Sequence, residues 1–171
     1  MNSTNKGQLV RVAGAEQLPE INRIIASSVQ RWPCSDRLKR LALEPLRYRP
    51  CDLPDFEFFL CYKAHAFLGA AIWQPEVRLK TDQGSAEAVL LHGLFVDEKA
   101  QGQGVGRRLL DEVAHRAVAQ NFSGIYVRAE RFSTSYFKQV GFRQLAREEG
   151  PGAASVPYPY RFLFALGEVE P

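Results

Sequence analysis

The sequence predicts a mixed α/β domain, and three observations carry that prediction. Apolar runs of strand length alternate with segments of helical periodicity along the chain. The longest apolar run, AVLLHGLFV at 88–96, has no alternating polar face, as expected of a strand buried on both sides. Shortly after it, QGQGVG sets glycines at 102, 104 and 106 directly before an amphipathic segment. A chain of 171 residues fits one domain. Residues 9–167 are expected to form it, with the polar MNSTNKGQ of residues 1–8 as a flexible terminus.

The elements follow in order. LVRVA (9–13) reads as a strand. Leu18, Ile21, Ile25 and Val29 then recur at helical spacing, with Pro19 tolerable in the first turn. A second short helix is expected over Ser35–Leu43, capped by Ser35 or Asp36. EPLRYRPCDLPD, with three prolines, reads as irregular. FEFFLCYK and FLGAAIWQ flank Ala64, His65 and Ala66 as an aromatic-rich hairpin, followed by a polar loop, LKTDQGSAE. After strand 88–96 and the glycines, Val105, Leu109, Val113 and Ala117 share one helix face, and Arg107, Arg108, Asp111, Glu112, His115 and Arg116 take the other. SGIYVRA (123–129) is a strand, and STSYFKQV a short helix ended by Gly141. FRQLA, a loop EEGPGAASVPYP and a last strand YRFLFAL (160–166) complete the order β α (α) β β β α β α β β.

Composition narrows the function classes. No apolar run reaches the ~20 residues of a membrane span, and there is no signal-peptide core, so a cytoplasmic protein without a membrane partner is expected. A net charge of +3 without a dense basic run does not argue for nucleic acid. Cys34, Cys51 and Cys61 are odd in number and have no metal-ligand spacing, so free thiols and no metal are expected.

The glycine stretch fails two nucleotide signatures. A GxGxxG fingerprint needs its third glycine where Arg107 stands, and five residues, DEKAQ, separate the strand from Gly102. GxxxxGK[ST] is absent. What remains is bare backbone at a helix N-terminus, where unpaired N–H groups and the helix dipole suit an anion such as a pyrophosphate. A glycine turn that merely starts a helix is the alternative.

VDEKAQGQGVGRRLL closely resembles motif A of the GNAT-type N-acetyltransferases: a strand ending in a Val-acid pair, then [Q/R]xxGxG/A, then a helix. Gln101, Gly104 and Gly106 fill those positions. SYFKQVGF resembles the family's second hallmark, [FY]YxKxGF, and the element order from residue 9 to residue 166 matches as well. The resemblance implies a GNAT fold: a mixed, largely antiparallel sheet splayed between the strands at 88–96 and 123–129, with helices on both faces. It implies acetyl-CoA as cosubstrate and direct transfer to a primary amine on a small molecule or peptide, with a homodimer as one arrangement. Backbone amides of Gln101, Gly102, Gln103, Gly104, Val105 and Gly106 would hold the pyrophosphate, and main-chain groups of Leu94, Phe95 and Val96 the pantetheine arm. Arg107 and Arg108 would steer the polyanion, and Ser133 and Phe137 complete the cofactor set. The acceptor would contact Ser27–Asp55 and the loop Glu148–Tyr160, with Arg31, Trp32, Tyr48, Tyr158 and Tyr160 as wall residues.

The proton chemistry is less uniform. A lysine-like amine with pKa ~10.4 is neutral in about one molecule in 2,500 at pH 7, a deficit of ~4.6 kcal/mol, whereas an α-amino group near pKa 8 faces ~1.4 kcal/mol. His115 follows Asp111 by one turn, an ion-pair arrangement, and His65 sits in the hairpin turn. His92 interrupts the central apolar strand on the face of Leu90, Leu94 and Val96, which makes it either a core histidine or the base. The resemblance favours the second reading, because some relatives use a histidine on that strand. Glu87 is the fallback. The usual tyrosine acid of the family falls on Phe137, which has no proton to give. Tyr136 is adjacent but rotated by ~100°. Tyr126, Ser133, water, or departure of the bare thiolate are the other routes. An acetyl-CoA sensor without turnover is therefore the rival reading, and a longer acyl donor a second one.

Overall fold

The computed structural model describes residues 9–80, 87–146 and 160–167. The terminus 1–8, residues 81–86 of the polar loop and residues 147–159, Tyr158 included, lie outside them. Among the described residues, seven strands form a sheet in the order β1-β2-β3-β4-β5-β7-β6: β1 (Leu9–Ala13), β2 (Glu57–Lys63), β3 (Ala66–Lys80), β4 (Glu87–Val96), β5 (Gly124–Arg128), β6 (Arg143–Gln144) and β7 (Arg161–Ala165). The α-helices of the described residues are α1 (Leu18–Gln30), α2 (Asp36–Leu46), α3 (Val105–Ala119) and α4 (Thr134–Gln139). The sheet is mixed. β4 and β5 run parallel, whereas β1/β2, β5/β7 and β6/β7 are antiparallel. The chain divides into two compact units, Met1–Ile72 with Gly93–Glu112 and Trp73–His92 with Val113–Pro171, so β3, β4 and α3 each run through both.

In the first unit, α1 forms because Leu18, Ile21, Ile24, Ile25 and Val29 fall on one stripe, all buried, and Pro19 occupies the first turn, where no N–H is missed. Leu18, Ile21, Ile24 and Ile25 pack with Ala13, Tyr48, Phe58, Leu60, Ala70, Ile72 and Phe95 into one core. Ser35 caps α2 by accepting the Leu38 N–H at 3.4 Å, as its residue type predicts. α2 runs past the expected Leu43 to Leu46, with Pro45 inside it. The proline comes in the final turn, where little helix remains to be broken, and the Arg47 N–H closes the end on Glu44 O at 3.3 Å. The stretch expected to be irregular therefore begins as helix, and Pro50–Asp52 adds a 3-10 turn.

In the second unit, Trp73, Val89, Leu91, Val113, Phe122, Ile125, Tyr126, Val127 and Phe162 are buried. β3 extends beyond the expected Gln74 to Lys80. Its far half is tethered by Arg78, which bonds Glu87 at 3.0 Å and Gln120 O at 3.3 Å and lies over the Phe122 ring at 4.4 Å. α4 ends at Gly141, whose φ of +99° is the left-handed cap that glycine adopts at least cost.

Candidate coenzyme cradle and catalytic groups

The glycine stretch folds as a turn over Gln101–Gly104 running into α3. Gly102 and Gly104 have φ of +76° and +79°, conformations costing another L-residue ~1–2 kcal/mol. The first helical bond runs from the Arg108 N–H to Gly104 O at 3.0 Å, so the N–H groups of Val105, Gly106 and Arg107 have no acceptor within the helix. Gly104 has no side chain to place on those donors, so they stay open. A Cβ built on Gly102 meets nothing within 4 Å, so the turn borders open space. The residues present therefore fit a pyrophosphate.

Of the expected donors, Gln103 N–H is already committed to Ala100 O at 3.3 Å. The side chains of Gln101 and Gln103 fold back onto Val96 O (3.2 Å) and Lys99 O (2.8 Å), bracing the turn. Arg107 pairs with Asp111 at 2.9 Å, and both are more than half exposed in that pair or nearly so, at 59% and 49%. Such a pair is worth ~1 kcal/mol at most and leaves Arg107 able to turn toward an anion. This geometry overturns the expected Asp111–His115 pairing: Arg107 takes Asp111, and His115 is exposed. On β4, Leu94 and Val96 are half-buried, while Phe95 belongs to the core at 7% exposure.

Two features of the cradle's foundation escaped the sequence reading. Gly69 on β3 lets α3 approach closely. A Cβ there would lie 2.7 Å from Val105 Cγ1, 3.0 Å from Phe95 O and 3.1 Å from Leu109 Cδ1. Asp97, which follows β4, anchors the turn into the cradle. Its N–H donates to Leu68 O at 2.9 Å, its carboxylate accepts the Lys99 N–H at 3.0 Å, and Arg23 of α1 reaches it at 2.6 Å. Arg23 also donates to Glu20 and to Phe67 O, and the Glu98 N–H donates to the Ser27 hydroxyl at 3.0 Å. Burial alone would raise the Asp97 carboxyl, but the hydrogen bonds from Arg23, Lys99 N–H and Ser27 outweigh it and hold the pKa below its ordinary value. The Val-acid pair was visible in the sequence; its basic partner, on another helix, was not.

His92 is exposed rather than a core histidine. The β4–β5 ladder runs from Ala88↔Gly124 to Leu91↔Val127, and both strands continue past its last pair. His92 and Arg128, next in line, lie outside the ladder and are both exposed. The burial expected from an apolar run thus holds for Ala88–Leu91 and, past the last pair, for alternate residues only: Gly93 and Phe95 are buried, His92 is exposed, and Leu94 and Val96 are half-buried. Glu87 is ion-paired with Arg78 at 3.0 Å. Ser133 precedes α4, its N–H donating to Glu130 O at 2.9 Å. Phe137, expected to touch the cofactor, is 5% exposed and packs on Phe142 and Phe162 at 5.2 and 5.8 Å between ring centroids. Tyr136 sits edge-on to Phe137 at 5.6 Å, with its hydroxyl oxygen shielded from solvent. Tyr126 is core, at 1% exposure. Tyr48, a candidate acceptor wall, is also core. Its ring packs on Phe56 and Phe58, and burial drives its hydroxyl pKa upward.

Among the described residues, no helix is long and apolar enough to cross a membrane, and no cluster of His, Cys, Asp and Glu could hold a metal ion. The sequence matches the profile described as "Acetyltransferase (GNAT) domain" over residues 37–161. Comparison with curated protein sequences gives no significant match. Among solved structures, the fold is similar to a GCN5-related N-acetyltransferase from Rhodopseudomonas palustris (TM-score 0.71, 14% identity, 94% of this chain and 97% of that one). It is likewise similar to a GNAT family acetyltransferase from Staphylococcus aureus Mu50 (0.65, 19%, 94% and 99%). A third neighbour, from Brucella melitensis, is a GNAT family acetyltransferase in complex with acetyl-CoA (0.61, 15%, 96% and 91%).

Proposed function

This chain belongs to the GNAT acetyltransferase family by its match over residues 37–161, and from that premise we propose that it moves the acetyl group of acetyl-CoA directly to a primary amine. The observation that carries the reading is the bare N-terminus of α3. Two glycines in left-handed conformation precede helical N–H groups with no internal acceptor, beside open space. Gly102, Gly104, Val105 and Gly106 hold the pyrophosphate through their backbone N–H groups, and Arg107 adds charge from its exposed pair. Leu94–Val96 offer main-chain groups to the pantetheine arm. The Brucella melitensis neighbour, which binds acetyl-CoA, supports this choice of donor.

His92 takes the amine proton, directly or through water. Its exposure just past the end of the β4–β5 ladder supports this role over a packing role. Phe137 removes the usual tyrosine acid, so Tyr136, solvent or unassisted departure serves the thiolate. The last costs ~2 kcal/mol at pH 7 for a thiol of pKa near 8.5. The burial of Phe137 among Phe142 and Phe162 favours one second reading, an acetyl-CoA-binding protein without turnover. The acceptor is a small molecule or peptide amine.

The deciding experiment incubates the pure protein with acetyl-CoA and a panel of amines and follows free thiol. Acceptor-dependent release is expected, lowered by His92→Ala. Tight acetyl-CoA binding without release against any amine would favour the sensor. Gly104→Val is expected to abolish coenzyme binding in a folded protein; normal binding by that variant would remove the cradle from the account.

A further inference from the structure

α2 turns one side to the core and leaves an apolar stripe on another. Leu46 packs on the core that α1 builds, and Lys39, Ala42 and Leu43 on the same side are half-buried. About 120° around the helix, Leu38 and Leu41 are 55% and 62% exposed, and Pro45 is exposed with them. At ~100° per residue these three, spaced i, i+3 and i+7, lie within about 60° of one another along ~10 Å of helix. Among the described residues the large apolar side chains left exposed are Val12, Leu38, Leu41 and Phe132. A lone exposed leucine is ordinary; two on successive turns of one stripe make a patch.

The charge beside the stripe is uncompensated. Asp36 pairs with Lys39 at 3.6 Å, and Glu44 is paired with Arg49. Arg37 and Arg40 are exposed, and no acceptor takes either guanidinium among the described residues. Arg37 lies ~40° around the helix from Leu41, and Arg40 ~60° beyond Arg37. The surface is also held firm. Ser35 caps one end of α2 and Leu46 seats the other on the core, so an occupant need not order it.

Shape and charge select the occupant. A helix ridge is convex, whereas small molecules bind in concave pockets, so the stripe suits a polypeptide. A second copy of this chain, paired through the same face about a two-fold axis, would set Arg37 and Arg40 against themselves. For a membrane the apolar area is too small, since even a whole myristoyl chain by itself binds bilayers only marginally. We infer that this face of α2 docks an acidic, apolar segment of the polypeptide that carries the acceptor amine. Apolar side chains of that segment cover Leu38, Leu41 and Pro45, and its carboxylates pair with Arg37 and Arg40. α2 lies within the stretch 27–55 assigned to the acceptor and in the same compact unit as the cradle residues 101–107. The assignment of the amine rests on the proposed acetyl transfer, narrowing its acceptor to a peptide; the docking surface does not.

The test uses the full-length protein and a short synthetic peptide of Glu and Leu, with an amine at its N-terminus and on a C-terminal Lys. Versions with Gln for every Glu, and with Ser for every Leu, are the controls. Without acetyl-CoA, the parent peptide is expected to saturate one site, to shift the Leu38 and Leu41 methyls in NMR, and to bind more weakly as salt rises. Both controls should bind at least about fivefold more weakly, as should the parent peptide to Arg37→Gln/Arg40→Gln and to Leu38→Ser/Leu41→Ser. All four substituted side chains are exposed, so unchanged melting temperatures should show that the variants fold. With acetyl-CoA, the parent peptide should be acetylated with a KM at least about fivefold below that of the glutamine version. Equal binding of the glutamine version, unchanged affinity in the arginine variant, or methyl shifts confined to other residues would each overturn the inference. So would binding of phosphatidylserine-containing vesicles, or a dimer dissociated by Leu38→Ser/Leu41→Ser, in place of peptide binding. Equal KM values would remove the peptide as acceptor. If no amine of any kind is acetylated, the acetyl-transfer reading fails, and the binding arms still decide the docking surface.

Discussion

Replacing Asp97 with asparagine removes one charge from the foundation of the cradle and turns one of the two carboxylate acceptors into an NH2 donor. The amide oxygen can still accept the Lys99 N–H, and the side chain keeps its size. What is lost is the charge partner of Arg23, at 2.6 Å. Two unit charges at 4 Å interact by ~4 kcal/mol at an effective dielectric of 20, before desolvation is subtracted. Exposed pairs net ~0–1 kcal/mol, and breaking a buried pair costs ~3–5. This pair lies between those limits, with the Asp97 side chain 13% exposed and that of Arg23 46%. Arg23 also keeps Glu20 as a second partner. The expected loss is therefore about 1–2 kcal/mol, or roughly 2–8 °C in melting temperature for a protein of this size. The sign of the pH dependence follows from the depressed carboxyl. The stabilisation is fully present above the unfolded-state pKa of ~3.9 and is lost as pH falls through the lower folded-state value. Urea unfolding of wild type and Asp97→Asn from pH 7 down to pH 3 should show a constant difference above about pH 5 that closes toward pH 3. Equal stability at pH 7, or a difference that persists undiminished at pH 3, would refute the argument.

Two further outcomes are expected. Gly69→Ala places a Cβ 2.7 Å from Val105 Cγ1 and 3.0 Å from Phe95 O, so it should destabilise by about 1–3 kcal/mol in denaturant unfolding; a neutral result would mean that α3 shifts freely on β3. Cys61 is buried, and burial pushes its thiol up to about 11, so at pH 8 a disulfide reagent should modify exposed Cys51 quickly and leave Cys61 untouched until the protein unfolds. Comparable rates at the two thiols would contradict the packing of β2.

The sequence by itself determined what depends on local pattern. The stripe of Leu18, Ile21, Ile25 and Val29 and that of Val105, Leu109, Val113 and Ala117 allow only helices with one buried face, and both faces are buried as read. Ser35 as a cap and Gly141 as a left-handed stop follow from what those residues can do with their backbone. The glycines before α3 were legible because bare backbone at a helix start has few uses. Tertiary structure decided whatever depends on which strands and helices meet. His92 sits in an apolar run, yet the end of the β4–β5 pairing leaves it exposed. Pro45 reads as a helix breaker, yet α2 carries it in its last turn. Asp97 meets Arg23, 74 positions away in sequence, and Gly69 meets Val105 and Leu109. Periodicity describes one element at a time, and such contacts belong to two.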